Sequence, residues 1–163
     1  MGGITVKSAP LAAVFRELGF SEVRTVLASG NVVFETSSSN RAALKRRIEQ
    51  ALADAFGYDA WIVLTTVDHV RKVVDAFPFD ADDAGRQPYA VFGSDESALD
   101  QLAESASDLD PAVDPVVRGD GVVYWNPVKG TTVDTPFAKL LAKARFKAVT
   151  TNRNLRTLEK LLG

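Results

Sequence analysis

The spacing of hydrophobic residues in the first half of the chain predicts a helix, a hairpin and a second helix. Leu11, Val14, Phe15 and Leu18 recur at the spacing of an amphipathic helix. Two β-rich runs follow, and the Ser-Gly-Asn sequence between them is typical of a tight turn. A longer helix, a short buried strand and a short helix complete this half. The predicted ranges are 8–18, 23–28, 32–35, 40–56, 61–64 and 66–77, in that order.

The second half repeats the order of helix, hairpin and helix, preceded by a strand, after a polar stretch rich in aspartate. Residues 79–87 have no apolar periodicity and are predicted to be a linker. Beyond them the pattern predicts a strand, a helix, a second hairpin with a glycine-rich turn, and two further helices. A Thr-Pro pair opens the first of those two helices. The predicted ranges are 89–92, 96–106, 116–118, 122–125, a helix that begins near residue 135, and 152–162.

The two halves together predict an α+β protein made of two tandem ferredoxin-like subdomains, near residues 1–78 and 79–163. A ferredoxin-like unit has the order β-α-β-β-α-β, and residues 89–92 supply the leading strand of the second one. Before the first helix, only residues 4–6 have the character of a strand. The first subdomain is therefore predicted to lack its leading strand. Because that strand lies inside the sheet, its loss leaves backbone groups unpaired.

Three explanations of the missing strand are open. The start of the protein lies upstream, or residues 4–6 move into the gap, or another chain pairs there. The last explanation includes a homodimer formed through the unfilled sheet position. The first is the one we favour.

Composition excludes several kinds of site. The chain has no cysteine and a single histidine, so disulfides, zinc–thiolate sites, iron–sulfur clusters, cysteine nucleophiles and histidine-rich metal sites are excluded. Asp80, Asp82 and Asp83 lack the spacing of a calcium-binding loop and are interpreted as a hydrated linker. The apolar runs are far shorter than the roughly 18 residues of a membrane-spanning helix. We predict a cytoplasmic protein with no metal, no cofactor and no membrane partner.

The charges are distributed unevenly along the chain. Residues 68–120 carry 4 basic and 13 acidic side chains, whereas residues 121–163 carry 8 basic and 2 acidic ones. The basic C-terminal region can bind phosphate, a nucleotide or nucleic acid. In the alternative interpretation, these cations neutralise the acidic middle of the chain, within the fold or between copies. The basic residues of this region are Lys129, Lys139, Lys143, Arg145, Lys147, Arg153, Arg156 and Lys160.

Three further features each have a functional and a structural interpretation. Ser29 and Asn31 at the tip of the first hairpin can contact a ligand, but their residue types also suit a turn. His69 has no identifiable catalytic partner and is interpreted as a solvated helix residue. Tyr124 and Trp125 point to opposite faces of their strand. They cannot form one stacking platform, so nucleic acid is an unfavoured partner.

Four segments resemble the bacterial domain-of-unknown-function 1697 family. They are Gly2-Gly3, the Glu-Leu-Gly-Phe sequence at residues 17–20, the Leu-Ala-Ser-Gly-Asn-Val-Val-Phe hairpin at 27–34 and residues 151–157. Members usually begin with a strand that ends in Leu-Leu-Arg-Gly-Ile-Asn-Val, and this chain starts after it. The chain also departs from the family at residues 130–137 and at Leu155, where a tryptophan is common. The resemblance implies a pair of ferredoxin-like subdomains, and it brings no activity, cofactor or catalytic residue.

Two functions from different classes follow from these observations. The first is a non-catalytic binding module that recognises an anionic small molecule or partner through the basic C-terminal region. The alternative is a small-molecule enzyme with a site between the two subdomains, in which polar residues orient the substrate. The candidate ligand-binding residues for the two functions are Ser29, Asn31, Lys129, Thr135, Arg153, Asn154 and Arg156.

Overall fold

The contacts in the computed structural model, which describes residues 7–26 and 30–163, divide the chain into two units. The division falls between Val67 and Asp68. It differs from the boundary near residue 78 that the linker suggests. The reason is that the helix before the linker packs on the sheet of the second unit, where the Tyr124 hydroxyl donates a hydrogen bond to the Val73 carbonyl at 2.7 Å.

In the first unit, two helices and an antiparallel hairpin follow the predicted order, which is confirmed. Asn40 caps the second helix because its side-chain oxygen accepts a hydrogen bond from the Ala43 N–H at 3.1 Å. Gly57 ends that helix with a left-handed φ of 67°. Residues 4–6, which have the character of a strand stub, and part of the hairpin tip, residues 27–29, lie outside the described residues. The elements are α1 at Ser8–Glu17, β1 at Ser21–Val26, β2 at Asn31–Glu35 and α2 at Arg41–Phe56.

Apolar residues of α1, α2 and the hairpin form the core of the first unit. Ile48 and Leu52 of α2 are buried, as are Leu11 and Phe15 of α1. Phe34 of β2 stacks near them on Phe20, with ring centroids 4.5 Å apart. One stripe of each helix therefore faces this core, as the helical spacing predicts.

The strand predicted at residues 61–64 is wrong. The structure assigns no strand to this segment, although Ile62 and Leu64 still pack against the core of the first unit. The Ile62 N–H donates to a carboxylate oxygen of Glu49 at 3.0 Å, so a side chain of α2 takes the place of a strand partner. A strand needs a neighbour along its edge, and in the first unit the described strands pair only with each other.

The second unit contains a four-stranded antiparallel sheet with the strand order β4-β5-β3-β6. Tyr89 of β3 pairs with Trp125 on one side and with Asn154 on the other, so β3 lies inside the sheet. The elements are α3 at Val67–Asp75, β3 at Tyr89–Gly93, α4 at Glu96–Ser105, β4 at Val116–Gly119, β5 at Val122–Trp125, α5 at Pro136–Leu141, α6 at Ala144–Lys147, β6 at Thr150–Asn154 and α7 at Leu155–Leu161.

The helix predicted at 152–162 is wrong at its start. Residues Thr150–Asn154 form strand β6, and the helix begins at Leu155. The tertiary structure decides this because β3 is buried, and its second edge needs a partner for its backbone groups. The preceding helix also differs from the prediction, since it ends at Leu141 and a separate short helix begins at Ala144.

Helices cover both faces of the second sheet. On one face, Val91 and Trp125 pack against α4, α5 and α6 in a core that includes Leu102 and Phe137. On the other face, α3 lies over β5 and β3, and its His69 ring is 6.5 Å from the ring of Phe92. The prediction that Tyr124 and Trp125 are core residues is confirmed, since they are 3% and 1% exposed. No open aromatic sheet face therefore remains around these two residues.

Among the helices of the described ranges, none combines the length and the apolar character needed to cross a bilayer.

Candidate anion-binding surface

The structure gives Asn31 a local role in the first hairpin. Its side chain is 7% exposed, and Nδ2 donates to the Val26 carbonyl at 3.0 Å. Val26 and Asn31 are also paired across β1 and β2. This contact holds the two ends of the turn together. Ser29, the other residue predicted at this tip, lies outside the described residues.

Thr135 and Asn154 cap the starts of helices. The Thr135 hydroxyl oxygen accepts a hydrogen bond from the Ala138 N–H at 3.1 Å at the start of α5. The Asn154 side chain accepts one from the Arg156 N–H at 2.9 Å at the start of α7. Each cap satisfies a backbone donor that has no partner inside the helix. Both residue types are thus accounted for by the local fold.

Arg156 connects α7 to the acidic segment before β3. Its guanidinium lies 2.7 Å from Glu159 and 3.6 Å from Asp82, and it donates to the Ala81 carbonyl. Arg156 therefore fits the interpretation in which basic residues of the C-terminal region neutralise the acidic middle of the chain within the fold. Its charge is shared among partners of its own chain.

Arg153 lies on β6 and pairs with Ala90 of β3. Its guanidinium donates to the Thr151 hydroxyl at 2.6 Å and to the Asn152 carbonyl at 3.0 Å. Burial lowers the pKa of this guanidinium. The pKa of arginine is so high that the side chain stays charged at neutral pH. Arg153 is thus a half-buried cation held by its own strand.

Lys129 is exposed in the loop after β5, and its backbone N–H donates to the Gly85 carbonyl at 2.9 Å. Tyr89, the first residue of β3, pairs with the last residues of β5 and β6, so these two strands finish at the same end of the sheet. The structure therefore brings Lys129, Asn154 and Arg156 to that end of the sheet. Asn31 belongs to the first unit.

Four cations on α5, on α6 and at the N-cap of α6 form a group that is accessible to solvent. No acidic residue occurs between Asp134 and Glu159 in the sequence, a stretch that includes both helices. All four are exposed, and three of them, Lys139, Lys143 and Lys147, pair with no carboxylate in the ranges 7–26 and 30–163. We call this group the basic surface, and it consists of Lys139, Lys143, Arg145 and Lys147.

Arg145 is anchored by neutral groups. Its guanidinium lies 3.3 Å from the Ser105 hydroxyl and 4.6 Å from the centre of the Phe146 ring. These contacts orient the side chain, and none of the ion pairs among the described residues includes Arg145.

Arg118 of β4 shows the opposite arrangement. It lies 3.1 Å from Asp100 and also contacts Glu96, both on α4. Burial lowers the pKa of the Arg118 guanidinium, but the hydrogen bonds that it donates to the two carboxylates and their negative charges outweigh that effect and raise the pKa overall. Arg118 thus has two carboxylate partners, whereas Lys139, Lys143 and Lys147 have none among the described residues.

A cavity of about 300 Å³ lies between α3 and the hairpin of β4 and β5. His69 lines it together with Lys72, Arg118, Asp120 and Tyr124. His69 is half-buried on α3, and its interpretation as a solvated helix residue stays a prediction. The sequence indicates only weakly that His69 lines a cavity, because His69 and Gly121, which lie close together in the structure, are far apart in the chain.

Gly121→Ala tests this close approach. Gly121 has a φ of 72°, and a Cβ built there lies 2.7 Å from Nε2 of His69. We expect a loss of about 1–3 kcal/mol in the free energy of unfolding, measured by urea denaturation. Gly130→Ala is the matched control, since Gly130 has a φ of 88° and open space around its Cβ position. Equal losses in the two variants contradict a role for the His69 contact.

No three histidine or carboxylate side chains of the described residues are grouped so that they can hold a metal ion. The surface chemistry available on α5 and α6 is therefore that of ammonium and guanidinium groups. Such groups bind anions by charge-assisted hydrogen bonds. They act here from solvent-exposed positions, where salt screens them strongly.

Comparisons with known proteins give a solved structure of similar fold and a family match. The conserved bacterial protein SP0830 from Streptococcus pneumoniae has a similar structure, with a TM-score of 0.80 and 21% sequence identity over 99% of this chain and 90% of that chain. This likeness shows a shared fold. A search of curated proteins finds no match. The family described as "Protein of unknown function (DUF1697)" matches residues 1–124, and the chain belongs to this family.

Proposed function

We propose that the protein is a non-catalytic binding module and that its basic surface on α5 and α6 binds an anionic partner. The observation that carries the proposal is the set of exposed lysines with no carboxylate beside them in the described chain. Lys139 lies on α5, Lys143 is the N-cap residue of α6 and Lys147 ends α6, and no acidic residue lies between them in the sequence. An anion that meets several of these cations accepts charge-assisted hydrogen bonds from them.

The proposal places binding on α5 and α6 because other basic residues of the C-terminal region have partners. Arg156 is paired with Asp82 and Glu159, and Arg153 is held by its own strand. Lys129 is the exposed member at the end of the sheet where β5 and β6 finish, and it extends the surface in this proposal. The enzyme alternative stays a prediction, since Asn31 and Thr135 have local hydrogen bonds that account for them.

We also propose that the second unit is a ferredoxin-like subdomain and that the first unit is built on the same plan. The order β3-α4-β4-β5-α5-β6 and the strand order β4-β5-β3-β6 support the first part. The sequence of helix, hairpin and helix in the first unit supports the second. Since α3 covers one face of the second sheet, an anionic partner meets the outer surfaces of the helices on the other face.

Binding of labelled anions tests the proposed function. The probes are a fluorescein-labelled octaglutamate peptide, a labelled oligothymidylate and inorganic tripolyphosphate as competitor, followed by fluorescence anisotropy. We expect binding that weakens at least about tenfold between about 50 mM and about 500 mM NaCl. The two labelled probes separate a carboxylate partner from a phosphate partner.

The variant Lys139→Glu/Lys143→Glu is expected to weaken probe binding at least about tenfold. Arg41→Glu/Arg46→Glu on α2 is the matched control, because it makes the same charge change at two exposed positions outside the basic surface. We expect this control to bind as the unmodified chain does. No binding at low salt by the unmodified chain, at a protein concentration where it is monomeric, or equal losses in both variants, would falsify the proposal.

A further inference from the structure

An acidic surface lies next to the basic surface on the second unit. Four exposed carboxylates recur every four residues along α4 and just beyond it, which places those on the helix along one side. We call them the acidic face, and it consists of Glu96, Asp100, Glu104 and Asp108. Arg118 pairs with Glu96 and Asp100, and the face remains negative because one cation serves two carboxylates.

The two surfaces are neighbours in the same helical layer. Leu99 and Leu102 of α4 share a core with Phe137 and Phe146 of α5 and α6. The hydrogen bond from Arg145 to Ser105 links the basic surface to the last residue of α4. The outer side of this layer therefore carries negative charge on one helix and positive charge on the next.

An acidic surface beside a basic one suits a two-fold dimer. In a two-fold interface each copy uses the same patch, so the patch must be complementary to itself. Rotation about an axis between the two surfaces brings the acidic face of each copy against the basic surface of the other.

We propose that the anionic partner of the basic surface is the acidic face of a second copy of this chain, in a two-fold dimer. The inference rests on the proposed function, because it names the partner of the same surface. It is independent of the strand pairing considered from the sequence, since its contacts are made by helix surfaces of the second unit.

A charge swap tests the dimer by sedimentation velocity with the full chain at about 100 μM, a concentration that also detects weak association. We expect a species of twice the 17.6 kDa chain mass at low salt, and the monomer at high salt. Lys139→Glu/Lys143→Glu and Glu104→Lys/Asp108→Lys are each expected to be monomeric. An equimolar mixture of the two variants is expected to restore the dimer, because both contacts are then again between opposite charges. Arg41→Glu/Arg46→Glu is expected to stay dimeric.

The outcomes separate the two proposals. A monomer at low salt that still binds octaglutamate through Lys139 and Lys143 overturns the dimer and leaves the proposed function standing. A monomer that binds no anion overturns both. A dimer that persists in high salt and in both charge variants is not held together by these charges. Such a result overturns the proposed interface. If a variant fails to fold, the mass of the unmodified chain at low and high salt still tests whether a charge-dependent dimer forms.

Discussion

Truncation of Phe137 to alanine is expected to lower the free energy of unfolding by about 3–5 kcal/mol. Phe137 is 0% exposed, and its ring centre lies 5.1 Å from that of Trp125. It stands at the junction of α5 with the second sheet, so the cavity left by its ring lies in the centre of that core. Part of the loss is the hydrophobic transfer of the ring, and the rest is the cost of a cavity that close packing cannot fill.

Urea denaturation followed by tryptophan fluorescence measures this effect, because Trp125 reports directly on the affected core. Val133→Ala is the control, since Val133 is 78% exposed and its truncation is expected to change stability by less than about 0.5 kcal/mol. A loss below about 1 kcal/mol for Phe137→Ala would mean that α5 is not part of this core.

Asp114→Ala is expected to lower the free energy of unfolding by about 2–5 kcal/mol, because it leaves two buried donors without an acceptor. Asp114 is 2% exposed, and its two carboxylate oxygens accept hydrogen bonds from the indole N–H of Trp125 at 2.8 Å and from the Phe137 N–H at 3.1 Å. The residue thus fastens the start of α5 to the end of β5. Its removal acts on the same junction as Phe137, but through polar contacts.

Amide hydrogen exchange at Phe137 gives this prediction a readout of its own. We expect faster exchange at that amide in Asp114→Ala, since its acceptor is gone. Asp108→Ala removes an exposed carboxylate instead and is expected to leave both stability and exchange unchanged. Unchanged protection of the Phe137 amide in Asp114→Ala would contradict the assigned hydrogen bond. Because Phe137 and Asp114 support one junction, the effects of the two substitutions are not expected to add.

Several candidate site residues could be recognised by type from the sequence, but their roles could not. Asn31, Thr135 and Asn154 are polar residues at predicted turns or helix starts, and all three make local hydrogen bonds there. Residue type alone does not separate a turn or cap from a ligand contact, since both use the same side-chain oxygens and nitrogens. The nearby backbone donors and acceptors decided these cases.

The acidic and basic blocks of charge were visible in the sequence, whereas the distribution of counterions was not. Arg156 and Arg118 have carboxylate partners, and the lysines of α5 and α6 have none among the described residues. A pair such as Arg118 and Glu96 joins a strand to a helix across a long stretch of chain. The composition of a segment therefore gives its net charge but not which of its charges remain available.

The sequence by itself determined the elements whose signals are local. The spacing of Leu11, Val14 and Phe15, the cap at Asn40 and the glycine turn before Val122 each act within a few residues, and the structure has the corresponding helices and hairpin. Family membership was visible for the same reason, because its motifs are continuous in sequence.

Only the tertiary structure decided the elements that depend on distant partners. Residues Thr150–Asn154 became a strand because the buried edge of β3 needed one, and residues 61–64 were assigned no strand in a unit whose described strands pair only with each other. The position of α3, the burial of His69 and the neighbouring charged surfaces of α4 and α6 were settled in the same way. Hydrogen bonds and packing between remote segments fix these features, and no local pattern records them.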